Sequence, residues 1–166
     1  IEKAGDIIPQ VVKVLKDKRP KDAKQLEVPK KCPVCEGPVA KDENGVYIRC
    51  VTSNCPAQLK ERLKYFVGRD QMDVENVGSA LIEQLTNAGL VKNFADLYHL
   101  DKDQLMNLER MGEKSAKRVL DSIEKSKSQP LWRLIAGLGI RHVGSQSAEI
   151  LAGQFDSIDG LINANL

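Results

Sequence analysis

The apolar residues of the C-terminal part of the chain follow a helical period that occurs three times. The copies align on Gly78, Gly112 and Gly144, with steps of 34 and 32 residues. An apolar residue precedes each glycine: Val77, Met111 or Val143. An apolar or small residue lies four positions after it (Ile82, Ala116 or Ala148), and an apolar residue lies seven positions after it (Leu85, Val119 or Leu151). Because these offsets share one helix face, the pattern predicts a helix that begins just past each glycine.

A further helical pattern precedes the second glycine, so the predicted unit is a helix, a short hairpin and a second helix. The apolar positions of this pattern are Leu97, Leu100, Leu105 and Leu108. Repetition at this period indicates units that bury their apolar faces against one another. The segment that starts at Phe94 is echoed by the one that starts at Phe155, which predicts a fourth glycine near position 173 and a repeat that continues past residue 166.

The preceding segment, residues 29–68, predicts a β-hairpin followed by a helix. Asn44-Gly45 is a strong hairpin signal between Val39 and the alternating residues 46–48. The run PAQLKERLKYFV then places Leu59, Leu63 and Phe66 on one face of a helix whose first turn contains Pro56. Lys60, Arg62 and Lys64 lie mostly off this face, where they either contact phosphate or are simply solvated.

Four cysteines in this segment have the spacing of a metal site. Cys32, Cys35, Cys50 and Cys55 form C-x2-C and C-x4-C pairs separated by 14 residues. Four thiolates close the coordination sphere of one Zn2+ and leave no position for water, so the predicted site is structural and not catalytic. Two disulfides, or four thiols without a metal, are the alternatives.

Charge is distributed unevenly along the chain. Residues 16–31 hold seven basic and three acidic residues, whereas residues 69–166 hold eleven basic and fourteen acidic, a balance of −3. Net positive charge therefore cannot attract nucleic acid to the repeats. A glycine ahead of a helix offers another route, because unpaired N–H groups and the positive end of the helix dipole can hold a phosphate that no side chain obstructs.

The candidate DNA-binding residues are therefore the three glycines and the polar or glycine residues near them. They are Gly78, Gly112, Gly144, Arg110, Lys114, Lys117, Gly137, Gly139, Arg141 and His142. The first copy lies among acidic residues, Asp73 and Glu75, and we expect it to contribute least. The alternative is a purely structural helical array, in which each glycine only forms the turn.

Several long motifs together resemble the bacterial NAD+-dependent DNA ligases. They are AGDIIPQVVKV, the cysteine module ending in NCPAQLKERLKYFV, MDVENVG, LERMGEKSA and GLGIRHVG. The resemblance implies a mainly α fold with three parts: residues 1–28, the end of an oligonucleotide-binding (OB) β-barrel and a basic linker; residues 29–68, a four-cysteine zinc finger with its following helix; and residues 69–166, three of four helix-hairpin-helix units.

The resemblance also implies a function, the sealing of nicks in duplex DNA by a cytoplasmic bacterial enzyme that uses NAD+ and Mg2+. The family's nucleophile motif K-x-D-G is absent, because Ser157-Ile158 precedes Asp159-Gly160. We therefore assign no catalytic residue and expect this chain, as a monomer, to bind zinc and nicked DNA but not NAD+. The alternatives are a non-catalytic zinc and helix-hairpin-helix module of another repair protein, and a protein-interaction scaffold without nucleic acid.

Overall fold

The computed structural model describes residues 1–5, 8–41, 46–52 and 55–164, which form two compact units, Ile1–Lys30 and Lys31–Leu166. The first unit contains the antiparallel strands β1 (Glu2–Ala4) and β2 (Ile8–Gln10), paired with Glu2 opposite Gln10, and a single 3-10 turn at Lys16–Lys18. Its large apolar side chains, including Ile8, Val11 and Val12, are exposed.

The second unit begins with the cysteine module. Strands β3 (Val39–Lys41) and β4 (Ile48–Cys50) pair antiparallel, with Val39 opposite Cys50. The turn predicted at Asn44-Gly45 lies outside the described residues. Helix α1 (Pro56–Phe66) follows and buries Leu63 and Phe66, with Leu59 partly buried, which confirms the predicted helix and its apolar face.

The repeated glycines each precede a helix, as predicted. These helices are α2 (Ser79–Asn87), α4 (Glu113–Ser126) and α6 (Ser145–Gln154). The residue four positions after each glycine (Ile82, Ala116 and Ala148) is buried. Helices α3 (Lys102–Met106) and α5 (Leu131–Gly137) lie between them and α7 (Ile158–Ile162) follows α6, so the second unit is mainly α.

The segment ahead of Gly112 is not one continuous helix. A 3-10 turn, Ala95–His99, is followed by extended backbone at Leu100 and Asp101 before α3 begins. The Asp101 side chain accepts a hydrogen bond from the Gln104 amide, and the Gln104 side chain accepts one from the Asp101 amide. This capping box starts a new helix, so Leu97 lies in the 3-10 turn and Leu105 in α3, with Leu100 between the two elements and Leu108 beyond α3.

Two apolar clusters hold the second unit together. The larger joins α1, α2 and α4 with the 3-10 turn, and within it the rings of Phe66 and Phe94 stack with centroids 4.6 Å apart. The smaller packs Ile135 and Ala136 of α5 against Ala148 of α6. Small residues at this crossing let α5 and α6 approach closely. Within the described residues, no helix has the length and apolar character that crossing a bilayer requires.

Candidate metal centre and nucleic-acid interface

The four cysteine sulfurs converge on one point. All four Sγ atoms lie within 4.8 Å of one another, with 3.9 Å between Cys32 and Cys55 and 3.5 Å between Cys35 and Cys50. Zinc–sulfur bonds of about 2.3 Å in a tetrahedron place sulfurs roughly 3.8 Å apart, which is close to the observed spacing. Both distances are far longer than a disulfide bond of about 2 Å. The cluster therefore has the dimensions of a tetrahedral site with four cysteine ligands.

The backbone around the cysteines is folded to aim the sulfurs inward. Glu36 has a left-handed conformation (φ 56°), which turns the chain directly after Cys35. Its amide donates a hydrogen bond to the Cys32 carbonyl at 2.9 Å. A side chain on Gly37 would collide with Thr52, so glycine is required there. The Thr52 amide donates to Cys50 Sγ at 3.4 Å. Such amide–sulfur bonds stabilise thiolates, the form that binds a metal.

The thiol pKa values are consistent with a site that needs a cation. The amides of Cys35 and Val34 lower the pKa of Cys32 to about 7. Although the Gly37 amide lowers it, burial and the neighbouring Cys50 thiol raise the pKa of Cys35 to about 11. Four neighbouring thiolates repel one another, so the set can ionise fully only around a positive ion.

At the helix starts, none of the three repeated glycines is needed for the fold of the chain itself. Gly78, Gly112 and Gly144 are the N-caps of α2, α4 and α6, with φ angles of −86°, −83° and −87°, which any residue adopts. A Cβ atom built at any of the three meets nothing within 4 Å. The absence of a side chain at these positions therefore leaves open space in front of the helix.

The tight bend itself occurs two residues before each glycine, which disfavours the alternative in which the glycine only forms the turn. Asn76, Arg110 and His142 have φ angles of 64°, 58° and 66°. Asparagine and histidine are enriched in this left-handed conformation, whereas for arginine it is uncommon. The glycine and the bend thus serve different purposes in each hairpin.

The hairpin helices lack a side-chain cap at their N-termini, as α1 and α5 also do. Short helices α3 and α7 are capped by the side chains of Asp101 and Ser157, each of which accepts an amide of the first turn. In contrast, α2, α4 and α6 have no side-chain cap. Their first-turn amides therefore remain available, together with the positive end of the helix dipole, to an anion that approaches over the glycine.

The predicted cationic residues lie exposed around these helix starts. Arg110, Lys114 and Lys117 surround the second hairpin, and Arg141 with His142 forms the third. None of these side chains forms an ion pair with a described residue, whereas Lys60, Lys64, Lys102, Lys125 and Lys127 all do. The cations beside the hairpins are thus free of internal carboxylate partners within the described residues.

An acidic residue at the second helix start is directed to an internal partner. Glu113 is the first residue of α4, where its carboxylate would repel a phosphate. Lys102 Nζ lies 2.5 Å from its Oε1, and this hydrogen bond lowers the pKa of the Glu113 carboxyl. The ion pair neutralises the acid beside the open amides.

The fold brings cations from other parts of the chain to the first and third hairpins. Arg118 and Lys125 of α4 line the same shallow depression as Asn76 of the first hairpin, which has no basic residue of its own. The depression also contains Asp121 and Glu75, and Lys125 Nζ lies 3.8 Å from the Glu75 carboxylate. Arg141 of the third hairpin similarly shares a groove with Lys41 and Arg49 of the cysteine module. These neighbours are distant in sequence, so only a predicted packing of the helices could have identified them.

Two of the predicted DNA-binding glycines have local structural roles. Gly137 is buried at the end of α5, and a Cβ there would lie 3.1 Å from the Phe66 ring, so its role is close packing against α1. Its assignment as a DNA contact stays a prediction, which this burial disfavours. Gly139 is exposed and left-handed (φ 66°) directly after the α5 C-cap, a position that favours glycine.

The lysines of α1 also contact partners within the chain. Lys60 Nζ lies 2.9 Å from the Asn87 side chain and 3.5 Å from Glu83, both on α2, and Lys64 pairs with Glu61 at 2.7 Å. These contacts favour the reading in which they are part of the folded surface over a role as phosphate ligands.

Three family models match consecutive parts of the chain. Residues 31–57 match the NAD-dependent DNA ligase C4 zinc finger domain. Residues 69–125 match a SAM-like helix-hairpin-helix tandem, and residues 133–166 match a helix-hairpin-helix motif. The matches include the four-cysteine cluster and all three glycine-capped helix starts.

Curated proteins that are similar over almost the whole chain are DNA ligases. Those of Geobacter sulfurreducens and Koribacter versatilis are 51% and 48% identical, each over 99% of this chain, and that of Myxococcus xanthus is 47% identical over 100% of it. The aligned region makes up 24%, 24% and 25% of these relatives, so the chain spans about a quarter of their length. With a ligase-specific zinc-finger match and ligase relatives along its whole length, the chain belongs to the NAD-dependent DNA ligase family.

Proposed function

We propose that this chain is the DNA-binding part of a ligase that seals nicks in duplex DNA, and that it holds the DNA backbone through main-chain amides at the starts of α2, α4 and α6. The observation that carries the proposal is the combination found at all three helix starts: an N-cap glycine with ordinary φ, open space where its side chain would be, and no side-chain cap. Nothing in the described part of the chain requires that combination, whereas a phosphate approaching the amides does.

Contacts of this kind are independent of base sequence. Phosphate contacts fix the position of a protein on a duplex but carry no sequence information, which suits an enzyme that acts wherever a nick occurs. The exposed cations of the second and third hairpins would add attraction, and Arg118 also lies near the first; they are Arg110, Lys114, Lys117, Arg118 and Arg141. Amides provide the local contact in a domain whose overall charge is negative.

Titration of the zinc-loaded chain with a nicked duplex, at two or more salt concentrations, tests this function. We expect binding that weakens as salt rises; the five hairpin cations alone would give a log–log slope of about −4.5 if each neutralised one phosphate at roughly 0.9 per charge. Intact duplex of the same sequence measures the preference for a nick. A chain that binds neither duplex would be a scaffold and not a DNA-binding module.

For the cysteine cluster we propose one structural Zn2+ held by Cys32, Cys35, Cys50 and Cys55. The convergence of the sulfurs and the inward amide bonds support this ligand set. Because Cys55 directly precedes α1, the ion would fix the start of the helix that packs against the repeats. One zinc per chain by elemental analysis, lost on substitution of these cysteines, is the expected result.

For the whole protein we propose the chemistry of its relatives, with NAD+ and Mg2+ bound outside this chain. Residues 1–28 would then be the end of an OB-fold domain, residues 29–68 the zinc module and residues 69–166 the helix-hairpin-helix domain. The chain has no K-x-D-G nucleophile motif. We therefore expect a monomer that does not become labelled when incubated with adenylate-labelled NAD+ and Mg2+; transfer of label to the chain would contradict this division.

A further inference from the structure

The first two hairpins are braced against each other by side chains that bind main-chain atoms. Gln84 on α2 accepts a hydrogen bond from the Glu109 amide at 2.8 Å and places its own amide group 3.4 Å from the Glu109 carbonyl. Ser122 on α4 places its hydroxyl 2.5 Å from the Glu75 carbonyl. Thus the helix that starts at each hairpin holds the backbone of the other hairpin.

The two braces act at equivalent positions. Glu75 lies three residues before Gly78, and Glu109 lies three residues before Gly112. Each is followed immediately by the left-handed residue of its hairpin, Asn76 or Arg110. Within the described residues, no side chain binds the main chain of Arg141, the equivalent residue of the third hairpin, so the reciprocal arrangement is specific to the first two.

We propose that Gln84 is a positioning residue for DNA binding, that Ser122 is its counterpart, and that together they make the first two hairpins bind the duplex as one unit. This inference rests on the proposed function. A hairpin that is already ordered does not lose conformational entropy when it binds a phosphate. The hydrogen bonds of Gln84 and Ser122 therefore favour DNA binding although neither side chain touches the DNA.

The exposure of the braced residues separates this role from a contribution to folding. Glu109 is exposed, so water can replace the Gln84 side chain once it is removed. Leu105, which is buried, and Leu108 and Met111, which are partly buried, continue to anchor the hairpin to the core. Loss of Gln84 should therefore loosen the hairpin while leaving the helices folded.

The test is a double-mutant cycle in the full, zinc-loaded 166-residue chain. Gln84→Met, which keeps the side-chain length, should weaken duplex binding about three- to tenfold, the scale of ordering one segment on association. It should leave thermal unfolding nearly unchanged and make the Glu109 amide exchange faster with solvent. Combined with Gly112→Ala, its effect should be less than additive, and combined with Gly144→Ala it should be additive.

Ser122→Ala provides the matched experiment from the other side, with less than additive loss beside Gly78→Ala. Unchanged affinity of Gln84→Met, or equal additivity with Gly112→Ala and Gly144→Ala, would overturn the inference while leaving the proposed function intact. If the unsubstituted chain did not bind duplex, the proposed function would fail, and the inference would fail with it.

Discussion

Replacing Gly112 by alanine separates the needs of the fold from those of DNA binding. The added methyl group meets nothing within 4 Å, and φ is −83°. Alanine is a poorer N-cap than glycine by several tenths of a kcal/mol, but it also lowers the entropy of the unfolded chain by an amount worth about 0.4–1 kcal/mol. Because these effects oppose each other, the free energy of unfolding should change by less than about 0.5 kcal/mol.

The same methyl group stands where a phosphate would approach the first-turn amides of α4. Losing one charge-assisted hydrogen bond costs about 1.5–3 kcal/mol, which corresponds to a roughly 10- to 100-fold weaker affinity. Fluorescence anisotropy with a labelled nicked duplex measures the affinity, and a thermal melt measures stability.

Gly153→Ala is the matched control for this experiment. Gly153 also has open space around its missing side chain but lies in the last turn of α6, at the opposite end of the helix from Gly144. Alanine there should leave affinity unchanged. Equal affinity of Gly112→Ala and the unsubstituted chain, with both folded, would refute the role of the glycine.

Three other features of the structure give further predictions. Removing zinc with a chelator should abolish the ordered structure of residues 31–57 and lower the unfolding temperature of the second unit, because a module of this size has too little core to fold without its metal. Circular dichroism measures both effects, and an unchanged spectrum would contradict the metal site. Lys102→Met should weaken duplex binding, because it frees the Glu113 carboxylate beside the first-turn amides of α4. Lys127→Met breaks a similar surface pair with Glu124 and should leave binding unchanged. Equal effects of the two substitutions in the same binding assay would contradict this interpretation. Gly137→Ala should lower the free energy of unfolding, measured by denaturant titration, by about 1–3 kcal/mol, because the added methyl group would press on the Phe66 ring. Unchanged stability would show that the Phe66 ring moves aside at no cost.

Features that depend on local spacing were predictable from the sequence. The cysteine spacing indicated a cluster of thiols because the two cysteines of each pair are separated by a single turn of the chain. The four sulfurs do converge. The helix starts after Gly78, Gly112 and Gly144 followed from the apolar period that continues into each helix. The break at Asp101 was missed because the leucine spacing continues through it, although the Asp101-to-Gln104 spacing of the capping box was a usable signal.

Features that depend on packing between distant segments were not predictable. Gly137 was assigned to DNA because glycines near a hairpin look alike in sequence; its neighbour Phe66 lies 71 residues earlier. The bend at Arg110 could not be anticipated, because arginine has no preference for the left-handed conformation. Likewise, Gln84 looks like an ordinary polar helix residue until the fold places it against Glu109.

The central claim is that main-chain amides at the glycine-capped helix starts hold the DNA backbone. Amide chemical shifts of the isotope-labelled, zinc-loaded chain, followed by NMR during titration with nicked duplex, test it most directly. The amides of residues 113–115 and 145–147 should shift strongly, well beyond those at the side-chain-capped starts of α3 and α7. Binding that leaves these amides unmoved, with changes confined to lysine and arginine side chains, would contradict the account.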